Sequence, residues 1–214
     1  MDEVHIQAGP TILAGNLSIP DGAVALVLFA HGSGSSRHSP RNQFVARTLN
    51  DAGLATLLFD LLTPEEELID ERTRQLRFNI GLLAERLVHA TNWATQQEQT
   101  RDLRIGYFGS STGGGAALVA AAELLRDVGA VVSRGGRPDL AGEALPKVQA
   151  PTLLIIGGED HVVIELNEQA RAQMRCEVKI EIIPGATHLF EEPGALEKVA
   201  QLASDWFVDR IGMK

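Results

Sequence analysis

Residues 104–122 read RIGYFGSSTGGGAALVAAA, and few stretches of chain restrict a fold more. A short apolar run of strand character meets a turn of glycine and serine, and an alanine-rich helical run follows. The pattern Gly-x-Ser-x-Gly between a strand and a helix marks a sharp elbow that lifts a nucleophilic serine out of the backbone. The turn forces the serine into a strained conformation, so a Cβ two residues to either side would strike neighbouring chain. That requirement fixes the register. Gly109 and Gly113 flank Ser111 at the right distance, whereas Phe108 and Thr112 flank Ser110. Ser111 is therefore the expected nucleophile. It starts a helix, whose free N–H groups favour developing negative charge. A Gly/Ser-rich turn of this kind could also bind a phosphate or simply reverse the chain; the strand before it and the helix after it favour the elbow.

The rest of the chain supplies the sheet that such an elbow needs. Short runs rich in Val, Ile, Leu and Phe predict strands over Val24 to Ala30, Ala55 to Phe59, Arg104 to Phe108, Val128 to Val132, Thr152 to Ile156 and Val178 to Ile183. Continuous apolar runs fit strands covered on both faces. Helical spacing lies between them. Leu76, Ile80, Leu83, Leu87 and Ala94 fall on one face, as do Leu196, Val199, Ala203, Trp206 and Arg210, with Phe207 widening the second stripe. This alternation predicts a doubly wound, mostly parallel α/β sheet. At the start, Val4 to Ile6 and Thr11 to Ile19 are split by Gly9-Pro10, which predicts an antiparallel hairpin edge. The acidic triplet Glu65 to Glu67 after Pro64 suits a helix N-terminus.

A serine hydroxyl needs a base, and the base needs an orienting carboxylate. With an elbow of this type the acid and then the histidine follow the serine along the chain. Gly157-Gly158-Glu159-Asp160-His161 follows one strand and Pro184-Gly185-Ala186-Thr187-His188 follows the next. Both loops leave carboxyl ends of strands, where sites in such sheets lie. Asp160 is the expected acid and His188 the expected base. Glu159 competes as the acid but sits earlier in the turn. His161 reads as a solvated loop residue and His31 as a residue that shapes the loop beneath the site. An oxyanion hole takes one N–H from the residue after the nucleophile, Thr112, and another from the loop after the third strand. That loop reads His31-Gly32-Ser33-Gly34-Ser35-Ser36, and Ser33 is the expected donor.

With these motifs in place — FAHGSGSS, YFGSSTGGG, LLIIGGEDHVV and PGATHLFEEPG — the sequence resembles the α/β-hydrolase superfamily, and within it the dienelactone-hydrolase-like group. The resemblance runs from Val24 through Trp206. It implies an α/β-hydrolase fold and a Ser-Asp-His triad. Authentic dienelactone hydrolases carry a cysteine nucleophile where this elbow carries Ser111, so the resemblance does not imply dienelactone as substrate. The chain also resembles the hydrolase domain found attached to some phosphoribosyltransferases; a second domain of that kind is not expected within these residues. Caps in this superfamily usually follow the sixth strand. Here residues 133–150 are too few for one, so an open cleft without a cap domain is expected.

Length and charge bound the remaining possibilities. A chain of 214 residues with 44% hydrophobic and 22% charged residues is expected to form a single globular domain over 1–214. A formal net charge of −9 argues against nucleic acid and against an anionic membrane surface as partners. One cysteine, Cys176, permits no internal disulfide, and the acidic start does not resemble a signal peptide, so a cytoplasmic location is expected. The histidines show no paired metal-ligand spacing, and neither a metal nor a cofactor is expected. The expected activity is hydrolysis of small carboxylic esters, lactones or thioesters. A lyase or perhydrolase on the same fold, or a non-catalytic binding module, remains open. Oligomeric state is not written in the sequence. Finally, Ser133-Arg134-Gly135-Gly136-Arg137-Pro138-Asp139 lies at the same sheet edge, and Arg37 and Arg41 follow the oxyanion loop. Arg134 or Arg137 is expected to bind an anionic group on the substrate; the alternative pairs Arg137 with Asp139 and Arg134 with a surface acid.

Overall fold

The computed structural model describes residues 2–212. Among them, eight strands form one sheet: β1 (Asp2–Ala8), β2 (Thr11–Ser18), β3 (Ala25–Ala30), β4 (Ala55–Phe59), β5 (Arg104–Ser110), β6 (Val128–Arg134), β7 (Thr152–Gly157) and β8 (Val178–Ile183). They lie in the order β1-β2-β4-β3-β5-β6-β7-β8. β1 pairs with β2 in antiparallel register, as the Gly9-Pro10 break predicts; β2 also pairs antiparallel with β4, and the remaining pairings are parallel. This is the α/β-hydrolase fold.

Alternation along the central strands builds two apolar layers. In β3, Leu26, Leu28 and Ala30 point into one core while Ala25, Val27 and Phe29 point into the other. In β5, Tyr107 and Phe108 divide in the same way, and the Phe29 and Phe108 rings meet at 4.9 Å between centroids. Six helices cover the two faces: α1 (Pro40–Asp51), α2 (Pro64–Thr73), α3 (Ile80–Ala94), α4 (Thr112–Leu124), α5 (His161–Arg171) and α6 (Ala195–Phe207). Leu83, Leu87 and Ala90 of α3 join the first core, and Val45 and Leu49 of α1 with Val199 and Phe207 of α6 join the second. Each large side chain buried in this way contributes about 1.5–3 kcal/mol. The one buried tyrosine hydroxyl, on Tyr107, meets Thr91 Oγ1 at 2.6 Å, and burial pushes its pKa well above the ordinary value.

One local difference from the sequence reading has a clear cause. The stripe expected from Leu76 to Ala94 is interrupted. α2 ends with Arg74 in left-handed backbone, Leu76–Phe78 form a 3-10 turn, and α3 begins only after its cap, Asn79. Asp70 causes the break: its buried carboxylate accepts the N–H groups of Leu76 (2.8 Å) and Arg77 (3.0 Å) and so replaces the helix ladder there. Glu66 of the acidic triplet closes a capping box with Thr63 at the start of α2. The stretch after β6 folds as a 3-10 run over Pro138–Lys147 against α4 and α5 and forms no cap over the sheet edge. No helix among the described residues is long and apolar enough to cross a membrane.

Candidate active site

The carboxyl ends of β3, β5, β6, β7 and β8 share one edge of the sheet, and their loops carry the residues singled out in the sequence. β5 runs into Ser111, which adopts φ 51° and ψ −121°, and α4 starts at Thr112. A side chain on a backbone with positive φ is strained, and such strain persists only where surrounding structure enforces it. The enforcement is visible. A Cβ on Gly113 would lie 2.1 Å from the Ala30 carbonyl oxygen, and one on Gly109 would lie 2.5 Å from the Gly113 oxygen. The two glycine positions thus match a register centred on Ser111. Ser110 is instead buried, and its Oγ donates to Asn42 Oδ1 at 3.1 Å. Residues 134–137 strap the elbow in place. The Ser111 N–H donates to the Arg134 carbonyl (3.2 Å), and the Ser111 carbonyl accepts from Gly114 and Arg137 N–H (both 3.0 Å).

Asp160 and His188 come from neighbouring loops that interlock at Gly157, where a Cβ would meet the Ala186 oxygen at 2.4 Å. Gly158 N–H donates to the Ile183 carbonyl (2.8 Å) and Glu159 N–H to the Ala186 carbonyl (3.0 Å). Asp160 Oδ2 lies 2.6 Å from His188 Nδ1. A carboxylate only accepts, so Nδ1 carries the hydrogen and Nε2 is left as the accepting nitrogen. Glu159 and His161 are exposed. No hydrogen bond joins Ser111 to His188 among the described residues. They flank the same piece of chain: Arg134 takes the Ser111 N–H, and a Cβ on the next residue, Gly135, would lie 3.5 Å from His188 Cε1. Catalytic hydrogen bonds are often loose before substrate arrives.

Thr112 heads α4, where N–H groups have no partner within the helix. Ser33 is exposed in a turn closed by Ser35 N–H on the Gly32 carbonyl (3.2 Å). The residue before it, Gly32, is pressed against Ser111: a Cβ there would lie 3.2 Å from Ser111 Cβ. His31 anchors this loop. Its Nδ1–H donates to the Gly32 carbonyl (3.0 Å), and its Nε2 accepts the Leu61 N–H (3.0 Å). Burial pushes the His31 pKa below the ordinary value, against the Gly32 hydrogen bond and the charge of Asp60. Arg37 ties down the other end by donating its N–H to Asp60 at 2.8 Å and pairing with the same carboxylate through its guanidinium.

Gly32 and Ser33 also line a cavity of about 500 Å³. Leu61, Leu62 and Leu83 give it an apolar floor, and Asp70 and Arg77 lie on its polar wall. Burial opposes ionisation of Asp70, yet the Arg77 N–H and guanidinium and the Leu76 N–H hold its pKa below the ordinary value. Ser111 and His188 lie outside this lining.

The two loop arginines differ. Arg137 forks Asp139 at 2.9 and 2.8 Å, which raises its pKa. Arg134 is only 7% exposed and has no carboxylate partner among the described residues. Sequence reading overlooked Asn42 and Asn167. Asn167 is fully buried on α5, and its Nδ2 donates to the Gly136 carbonyl (3.0 Å) and the Val163 carbonyl (2.7 Å). It thereby joins the helix that follows Asp160 to the strap that holds Ser111. The available signal was a polar residue on an apolar stripe, four positions after Val163 and three before Ala170. Among the described residues, no group of three or more His, Cys, Asp or Glu side chains is placed to hold a metal ion.

Comparison with known proteins matches this architecture. The profile of the dienelactone hydrolase family matches residues 13–208. A dienelactone hydrolase from Anabaena variabilis, known from its crystal structure, is 64% identical, with a TM-score of 0.97 over 98% of this chain and 97% of that one. A protein of Mycobacterium tuberculosis that bears the name of a phosphoribosyl transferase is 59% identical over 210 residues, which is 98% of this chain but 46% of that protein. The chain thus spans about half of this curated relative. The ferulic-acid complex of Est1E from Butyrivibrio proteoclasticus shares the fold at 18% identity, with a TM-score of 0.83 over 98% of this chain and all of that one.

Proposed function

The chain belongs to the dienelactone hydrolase family, and from that premise we propose that it is a serine hydrolase of small carboxylic esters, lactones or thioesters. The observation that carries the proposal is the strained Ser111 at the head of α4, with the Asp160–His188 pair at 2.6 Å in the adjoining loops. Ser111 Oγ attacks the substrate carbonyl carbon. His188 Nε2 takes the hydroxyl proton and later delivers it to the leaving oxygen or sulfur. Asp160 holds the ring through Nδ1–H and stabilises its charged form. The N–H groups of Thr112 and Ser33 stabilise the oxyanion, where each donor in such a site is worth about 3–4 kcal/mol. Water then attacks the acyl-enzyme, with His188 as base, and frees the acid. The cavity that Gly32 and Ser33 line offers room for one substituent of the substrate, with apolar contact to Leu61, Leu62 and Leu83. The reaction needs no cofactor in this reading, which takes residues 1–214 as one hydrolase domain working in the cytoplasm on a small molecule. Phosphoribosyl transfer is not part of it.

The test is labelling with a fluorophosphonate, followed by turnover of short-chain esters and lactones. Wild type and Ser110→Ala should label; Ser111→Ala should not, and its kcat should drop by a factor on the order of 10⁴. Labelling that survives in Ser111→Ala and disappears in Ser110→Ala would overturn the assignment. A wild-type protein that neither labels nor turns over any ester would favour a binding module, and turnover without an acyl-enzyme would favour a lyase.

A further inference from the structure

Arg134 and Arg86 are the two buried arginines among the described residues, at 7% and 8% exposure. Arg86 has a counter-charge, with its Nη2 at 2.7 Å from Glu66 Oε1. Arg134 has none, and its Nε and Nη1 are shut away from solvent without a hydrogen-bond partner. A guanidinium cannot shed its charge at ordinary pH, so burying one unpaired is costly. What surrounds it raises that cost. The Phe190 ring lies 6.0 Å from the guanidinium carbon, at the outer edge of useful cation–π contact. Phe190 reaches this place through strained backbone, with φ 56°, two residues after His188. The nearby charge is another arginine: burial and Arg41 together push the Arg134 pKa down to about 10. Arg41 also has a buried, unpartnered Nε, and its one acid is the exposed Glu191 at 3.2 Å. Arg41 is the second residue of α1, whose first turn contains no acidic residue although the helix dipole favours negative charge there. Two guanidiniums and a helix N-terminus thus gather positive charge beside the His188 loop, with buried donors left unused.

We propose that Arg134 and Arg41, at the start of α1, form a binding site for an oxyanion: a carboxylate or phosphate group. A guanidinium presents parallel donor pairs on its Nε/Nη2 side and at its Nη1/Nη2 end, and the two buried, unpartnered nitrogens of Arg134, Nε and Nη1, each belong to one of these pairs. The oxyanion can come from two sources. It can be a charged group of the substrate that reacts at Ser111, in which case the site deepens the hydrolase reading and rests on it, or it can be a free anion. Arg137 has no part in the site, since Asp139 occupies its fork.

The experiment uses the full chain as wild type, Ser111→Ala, Arg134→Gln, Arg134→Lys and Arg41→Gln. Thermal unfolding is followed while inorganic phosphate or succinate is added, with potassium chloride controls at equal ionic strength. In wild type and Ser111→Ala, Tm should rise saturably by about 5 °C or more once the anion exceeds its Kd a hundredfold. The rise should vanish in Arg134→Gln and shrink in Arg41→Gln. Because Ser111→Ala is included, this result stands or falls independently of catalysis. A second arm compares hydrolysis of a neutral ester with the same ester bearing a free carboxylate. A tenfold higher KM for the charged ester alone in Arg134→Gln, with phosphate competing against it, assigns the oxyanion to the substrate. Equal behaviour of the two esters alongside the Tm shift assigns it to a free anion. If Arg134→Gln does not fold, Arg134→Lys and Arg41→Gln carry the comparison, each expected to weaken anion binding severalfold. No saturable shift in wild type beyond the chloride control, or the same shift in every variant, overturns the proposal.

Discussion

His31 should make the stability of this protein depend on pH, and the size of the effect follows from its surroundings. Burial holds the His31 pKa below 6.5 in the folded chain, where Nε2 must stay unprotonated to accept the Leu61 N–H. In the unfolded chain the ring titrates near about 6.5. Below that pH the unfolded state binds a proton that the folded state refuses, so stability rises with pH in this window and falls as pH drops. The loss is at most about 1.4 kcal/mol per pH unit, continuing until the lowered folded-state pKa is reached. From pH 6.5 to 5 it amounts to at most about 2 kcal/mol, or roughly 4–8 °C in Tm for a chain of this size. Other groups titrate in the same range, so the informative quantity is a difference. His31→Gln keeps a neutral acceptor for the Leu61 N–H and removes the titration. Urea unfolding of both proteins at pH 7.5 and pH 5 should show wild type losing up to about 2 kcal/mol more than the variant. Equal losses would refute the reasoning, and a variant that lost more would reverse it. Protonation would break the bond that Nε2 accepts from the Leu61 N–H and leave Nδ1–H on the Gly32 carbonyl.

Gly113→Ala should cost about 3 kcal/mol or more in urea unfolding, because its Cβ would meet a backbone oxygen at 2.1 Å rather than a side chain that can turn away. Asn167→Leu should leave the Gly136 carbonyl without its donor, cost about 1–3 kcal/mol, and slow fluorophosphonate labelling of Ser111 severalfold; unchanged labelling would mean that the strap does not position the nucleophile. Arg137→Ala should change KM by less than about twofold for neutral and carboxylate-bearing esters alike, since an ion pair with Asp139 at half-exposed side chains is worth little.

The sequence determined what adjacent residues can dictate. The Gly-x-Ser-x-Gly pattern between a strand and a helix, with Gly109 and Gly113 two places to either side, selects Ser111 over Ser110 from the sequence, although the clash that demands Gly113 is with the Ala30 carbonyl oxygen of β3. The alternation of Leu26, Leu28 and Ala30 with Val27 and Phe29 marks a strand covered on both faces, and Gly9-Pro10 marks the hairpin. The order of the loops after successive strands puts Asp160 and His188 on the edge that carries Ser111. Tertiary structure decided which polar groups meet. Arg134 and Arg137 look alike along the chain, yet one is buried without an acid and the other forks Asp139. The helical stripe from Leu76 to Ala94 gave no sign that Asp70 would take the backbone donors and break it. Asn42 and Asn167, 68 and 31 residues from the groups they bind, were invisible as ligands of the elbow and its strap. The division has one physical cause. Motif spacing and periodicity are properties of a few consecutive residues, whereas hydrogen bonding and the cost of a buried charge depend on what the rest of the chain packs around it.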